Sequence, residues 1–99
     1  MKDSLITKLE ALADRHQEVS ALLGDAETAA DQNRFRELSK EFSHLNEVVS
    51  HFQQWMHLGN TLADARQMQD DPDAELRELA SEEALEAEQA LIEVESALQ

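Results

Sequence analysis

Apolar residues, joined by one histidine, recur near the start of the chain in alternating steps of four and three. The positions are Leu5, Leu9, Leu12, His16, Val19 and Leu23. This spacing places side chains on one face of an α-helix that packs against another helix. Ser4 or Asp3 is suited to cap the start of the helix, and Gly24 to end it in the left-handed conformation. The pattern predicts a first helix over residues 4–23.

The same stepped pattern resumes after a small, polar segment that is predicted to be a turn, residues 25–30. Asp31 is a plausible cap for the helix that follows. Its apolar positions are Phe35, Leu38, Phe42, Leu45, Val49, Phe52 and Met56. Gly59 costs a helix about 1 kcal/mol relative to alanine but does not stop it. The pattern therefore predicts an uninterrupted second helix over residues 31–69.

A third helix is predicted over residues 72–98, with Asp71 as its cap and Pro72 in its first turn. Its apolar positions are Leu76, Ala80, Ala84, Ala87, Leu91, Val94 and Leu98. Alanine makes this stripe thin in the middle. Ser81, followed by two glutamates, is suited to cap a restart, so a kink or fraying point is expected near residues 80–82.

The apolar stripe of the second helix turns around the helix axis along its length. At about 100° per residue, the side chains after Trp55 point roughly 130° away from those near Phe35. One helix with such a stripe needs a different neighbour for each half. The predicted fold is all-α: an antiparallel three-helix bundle whose long central helix extends into a two-helix, coiled-coil-like hairpin, all within a single domain of residues 1–99. A core role is favoured over a partner surface for the bulky residues 55–58.

The negative charge of the chain limits the kinds of molecule that it can bind. The formal net charge is −14, and residues 70–99 carry eleven acidic side chains against Arg77 alone. Such a surface is repelled by phosphate backbones, so broad nucleic-acid binding is not expected. No window approaches the roughly 18 apolar residues that span a bilayer, and the chain has no cysteine. A soluble cytoplasmic protein without disulfide bonds or membrane partners is predicted.

One small basic cluster stands out in this acidic chain. It consists of Arg34, Arg36 and Lys40, of which the last two share a helix face. The cluster could contact a phosphate or an acidic partner. Pairing with Glu37 and Glu41 on the same helix surface is the favoured interpretation on general grounds.

No catalytic motif is legible in the sequence. His44, Glu47 and His51 share a helical face, but a metal would need a fourth ligand and supporting partners. Surface histidines near a glutamate account for the same residues. The glutamates of the third helix diverge from one another and lack the glycine turn of a calcium loop. The sequence predicts a protein that is not an enzyme and has no cofactor or metal.

The order of several short motifs resembles the N-terminal helical domain of bacterial peptide chain release factor 1, a family of class-I translation termination factors. Residues 22–26, Leu-Leu-Gly-Asp-Ala, and residues 31–42, with Arg-Phe-Arg, carry most of the likeness. Residues 9–12 and 15–19 are similar to the opening helix of the family, and residues 70–73 to the start of its third segment. The turn lacks the Trp-Asn expected in factor 2.

The resemblance implies a non-catalytic arm near the stalk base of the large ribosomal subunit, associated with the class-II release factor GTPase. The family reads stop codons with a Pro-x-Thr tripeptide and promotes peptidyl-tRNA hydrolysis with a Gly-Gly-Gln loop. Neither occurs here, so no catalytic residue carries over and a fragment of a longer protein is expected. The isolated domain is expected to be a monomer. The alternative is a free-standing coiled-coil adaptor or dimerisation module.

Overall fold

The computed structural model describes all of residues 1–99 and contains four helices and no strand. The helices are α1 (Asp3–Leu23), α2 (Ala26–Ala30), α3 (Gln32–Met68) and α4 (Ala74–Leu98). Together they make the chain 89% helical. The predicted all-α fold with one long central helix is confirmed, and α2 is an element that the sequence patterns did not predict.

The predicted N-cap of α1 is wrong, whereas Gly24 is confirmed as its C-cap but without the predicted left-handed conformation. The N-cap position is Lys2, which has no side-chain cap bond, and Asp3 already lies within the helix. Gly24 has φ −86° and ψ −3°, so it is right-handed. Its backbone N–H donates to the carbonyl of Ala21 at 3.1 Å. The helix therefore ends in a tightened right-handed turn, which needs no glycine for conformational reasons.

The segment predicted as a turn forms the short helix α2. The side chain of Asp25 accepts a hydrogen bond from the backbone N–H of Glu27 at 3.3 Å and caps α2. Thr28 is buried within this short helix. Asp31 then accepts from the backbone N–H of Arg34 at 3.2 Å, which agrees with its predicted role at the start of α3.

The start of α4 also differs from the sequence prediction. Asp73, rather than Asp71, is the N-cap, and it accepts from the backbone N–H of Glu75 at 2.9 Å. Pro72 precedes the helix instead of occupying its first turn. The hydroxyl of Ser81 donates to the carbonyl of Arg77 at 3.0 Å, so Ser81 sits inside an unbroken helix and does not cap a restart.

The chain divides by contacts into an N-terminal unit, Met1–Ser50, and a C-terminal unit, His51–Gln99. Helix α3 contributes residues to both. In the N-terminal unit, α1 runs antiparallel to the first part of α3. The core there consists of Val19, Leu38 and Leu45, with Leu12, Leu22, Leu23 and Phe42 packed against them. That the whole chain behaves as one domain stays a prediction.

In the C-terminal unit, α4 runs antiparallel to the second part of α3. Trp55 contacts Glu95 near one end, whereas Gln69 contacts Ser81 near the other. The small core contains Leu62, Ala65, Ala84 and Ala87, with Leu91 packed against it. Alanine at facing positions lets two helices approach closely, which explains why a thin stripe is sufficient here. No helix in the chain is long and apolar enough to cross a membrane.

Candidate partner-binding surface

Two basic side chains on the outer face of α3 have no partner within the protein. Arg36 and Lys40 are one helical turn apart, and neither side chain forms an ion pair or hydrogen bond. Both residues are exposed. The sequence favoured pairing with Glu37 and Glu41, and the structure contradicts it. We call Arg36 and Lys40 the basic pair.

Glu41, one of the two glutamates considered as partners, is bound by another helix. Its carboxylate accepts two hydrogen bonds from Arg15 of α1, from Nε at 2.6 Å and from Nη2 at 2.7 Å. Nη1 of Arg15 also lies 3.1 Å from Oε1 of Glu18 on the same helix. The hydrogen bonds from the Arg15 guanidinium hold the pKa of the Glu41 carboxyl below its usual value, and the same bonds raise the pKa of Arg15. The carboxylate of Glu41 is therefore paired with α1.

Arg34 does not join the basic pair. Two residues along a helix correspond to a rotation of about 200°, so Arg34 and Arg36 point to different sides of α3. Arg34 lines a concave surface together with Arg15, Glu18, Leu22, Glu37, Leu38 and Glu41. The three predicted site residues therefore divide into the basic pair and a separate arginine. Their role in binding a partner stays a prediction.

Beside Arg36 lies an open groove of about 510 Å³ whose lining is mostly apolar. It is lined by Ala29, Gln32, Phe35, Arg36 and Ser39. Phe35 is 42% exposed, although the sequence pattern placed it in the buried stripe. Ala29 is the one residue of α2 that lines this groove. An exposed aromatic ring next to an unpaired arginine is a combination that is enriched at protein interfaces.

The histidines weighed as metal ligands are not brought together. No group of three or more histidine, aspartate or glutamate side chains is placed to hold a metal ion. His16, which lies among the apolar positions of α1, stacks on Phe42 with ring centroids 4.9 Å apart. Its Nε2 lies 3.2 Å from Oδ1 of Asn46 on α3. This histidine thus has a packing role between two helices.

In the C-terminal unit, the bulky residues predicted as core are only partly buried. Trp55 stacks on the buried Phe52, with ring centroids 5.9 Å apart. Its indole Nε1–H donates to Oε1 of Glu95 at 2.9 Å. Met56 is 43% exposed and His57 is also exposed, so the core interpretation is wrong for these two residues.

A comparison with models of protein families matches residues 12–99 to the PCRF domain. The match takes in α2, α3 and α4 completely and most of α1, so it includes both cores. It also contains the turn and the Arg-Phe-Arg segment on which the resemblance depends. The chain belongs to the PCRF domain family. This domain is part of the peptide chain release factors, which act in translation termination.

Proposed function

We propose that this chain is the N-terminal arm of a class-I release factor of the factor 1 type, which acts in stop-codon-dependent termination on cytoplasmic ribosomes. The observation that carries the proposal is the match of residues 12–99 to the PCRF domain. The absence of a Trp-Asn turn after Gly24 favours factor 1 over factor 2.

The arm itself is proposed to be non-catalytic. Codon reading and peptidyl-tRNA hydrolysis need the Pro-x-Thr and Gly-Gly-Gln segments of the family, and this chain contains neither. The isolated 99 residues should neither bind ribosomes at a stop codon nor release peptide. The test measures release of labelled peptide from ribosomes programmed with a stop codon, with an intact release factor as the positive control. Release above background would refute this part of the proposal.

The arm is proposed to contact the class-II release factor GTPase or the stalk base of the large subunit. The basic pair supports this role, because Arg36 and Lys40 have no internal partner in a chain of charge −14. Phe35 and the groove beside it offer apolar area at the same place. Unpaired charges around an apolar centre favour association with an acidic protein surface.

The test uses a full-length release factor that contains this arm. Deleting the arm should slow GTPase-dependent recycling while leaving peptide release intact. The double variant Arg36→Glu, Lys40→Glu should reproduce that defect. Lys8→Glu, an exposed lysine on α1, is the matched control and should recycle normally. Unchanged recycling after deletion would refute the partner role, and a defect in deletion but not in the double variant would place the contact elsewhere on the arm.

A dimerisation module is the second candidate, because α4 exposes large apolar side chains. Leu85 is 57% exposed and Ile92 is 68% exposed, and they lie seven residues apart on one face. Sedimentation of the isolated chain at micromolar concentration separates the two candidates. The release-factor arm should sediment as a monomer, and a dimer that Leu85→Ser disrupts would favour the module.

A further inference from the structure

Gly59 occupies the interior of α3 without any reason internal to the fold. Its backbone φ is not positive, and a Cβ atom added there would meet nothing within 4 Å. A glycine inside a helix costs about 1 kcal/mol relative to alanine. Neither backbone conformation nor close packing within the chain accounts for this cost. A close approach from outside is the remaining physical use of a missing side chain.

Gly59 lies in a concave, mainly apolar surface of about 390 Å³ in the C-terminal unit. We call it the Gly59 groove, and it is lined by Trp55, Met56, Gly59, Asn60, Leu91 and Glu95. The Trp55 ring is held in place by its stacking on Phe52 and its hydrogen bond to Glu95. A rigid aromatic wall beside an exposed methionine is typical of a surface that receives a partner side chain.

Two further apolar side chains are exposed on α4. Ile92 follows the groove residue Leu91 and lies about 60° around the helix from Glu95. Leu85 is one heptad earlier on the same face, and both side chains are more than half exposed. We call Leu85 and Ile92 the strip; they do not line the groove itself but lie on the exposed side of α4. A strip of this kind matches the apolar face of a helix rather than a single side chain.

Charge decides which kind of helix fits. Helix α4 carries eight glutamates and a single basic residue, Arg77. One of these glutamates, Glu88, forms an ion pair with Arg66 of α3 at 3.3 Å. An acidic helix would be repelled, and so would a nucleic acid. Lysine or arginine side chains flanking an apolar stripe would be attracted.

We propose that the Gly59 groove binds a basic amphipathic helix of a partner protein, with an apolar side chain of that helix against Trp55. The missing side chain at residue 59 lets the partner backbone come close to α3. The site shares no residue with the basic pair and does not depend on the role proposed above.

Trp55 makes the test direct, because it is the only tryptophan in the chain. The probe is a synthetic helical peptide of about 18 residues, long enough for roughly five turns, with a leucine stripe flanked by lysines. Titrating it into the 99-residue chain should shift the Trp55 emission and saturate in the micromolar range. Chemical shifts of backbone amides should change around the groove and the strip. Added salt should weaken binding.

Gly59→Leu is the decisive variant, because it fills the groove while raising helix propensity. It should weaken peptide binding at least about tenfold, which corresponds to 1.4 kcal/mol. The matched control is Ala97→Leu, at an exposed position of α4 outside the groove. It should bind as the parent chain does. Circular dichroism melts of both variants establish that they are folded.

Three results would overturn the proposal. Equal affinity of Gly59→Leu and the parent chain would show that the peptide is held by charge alone. Equal affinity for a peptide with glutamate in place of lysine would remove the requirement for a basic partner. The absence of saturable binding at millimolar peptide would show that the groove receives no such helix.

Discussion

The guanidinium of Arg15 on α1 holds the carboxylate of Glu41 on α3 through two parallel hydrogen bonds of 2.6 and 2.7 Å. Both side chains are a little over one third exposed, at 38% and 37%. The two-point geometry specifies how α1 aligns with α3 in the N-terminal unit. The same contact occupies Glu41, one of the two glutamates that the sequence offered as partners for the basic cluster.

This contact should make stability depend on pH. The pKa of Glu41 is lowered in the folded chain, so its stabilising contribution is present above the ordinary carboxyl pKa. The contribution is lost as the pH falls through the lowered, folded-state pKa. Glu41→Gln should therefore reduce the melting temperature at neutral pH and have progressively less effect at acidic pH, below that lowered pKa. Glu47 is an exposed glutamate on α3 without a partner, so Glu47→Gln should leave the melting temperature unchanged at neutral and at acidic pH. An equal loss at both pH values would show that the ionised pair is not the cause.

The core of the N-terminal unit should be sensitive to truncation where the apolar stripe is covered. Leu45 is 8% exposed, and Leu45→Ala should lower the free energy of unfolding by about 3 kcal/mol. Phe35→Ala removes a larger side chain, but the ring is 42% exposed, so the loss should stay below about 1 kcal/mol. Urea denaturation measures both variants. Equal losses would mean that the Phe35 ring is buried in solution.

The start of α4 should depend on Asp73. Its side chain accepts the backbone N–H of Glu75, so Asp73→Ala should lower the free energy of unfolding by about 1 kcal/mol. Asp70→Ala removes an exposed aspartate that makes no side-chain bond and serves as the control. Thermal melts of the two variants compare them directly. A larger loss at Asp70 would contradict the assignment of the cap.

Gly24 should accept alanine. Its φ of −86° is ordinary for an L-amino acid, and the added Cβ would lie 3.5 Å from the nearest atom, the carbonyl oxygen of Ala21. Gly24→Ala should therefore raise the free energy of unfolding by about 0.5 kcal/mol, because it restricts the unfolded chain. The left-handed conformation expected from the sequence would instead make the substitution destabilising by about 1 kcal/mol or more. Urea denaturation distinguishes the two signs.

Local patterns were sufficient to predict the three long helices and which of them pack together, but not the short helix α2. The 3.6-residue periodicity of α1, α3 and α4 depends only on which residues lie three and four positions apart, and this information is in the sequence. The turning stripe of α3 correctly indicated one packing partner for each of its halves. Capping was harder to predict, because Asp71 and Asp73 are chemically equivalent candidates two residues apart. Only the backbone path through Pro72 selects between them.

The candidate surfaces depended on tertiary structure. The sequence identified Arg34, Arg36 and Lys40 from composition, yet only the structure shows that Glu41 pairs with Arg15 of another helix rather than with this cluster. Likewise, the exposure of Phe35 and the open space at Gly59 are properties of the folded chain. Periodicity specifies which face of a helix is apolar, since that is a property of neighbouring residues. Helices that are distant in sequence determine which atoms of that face are covered and which carboxylate pairs with a cation. Only the folded chain brings these helices together.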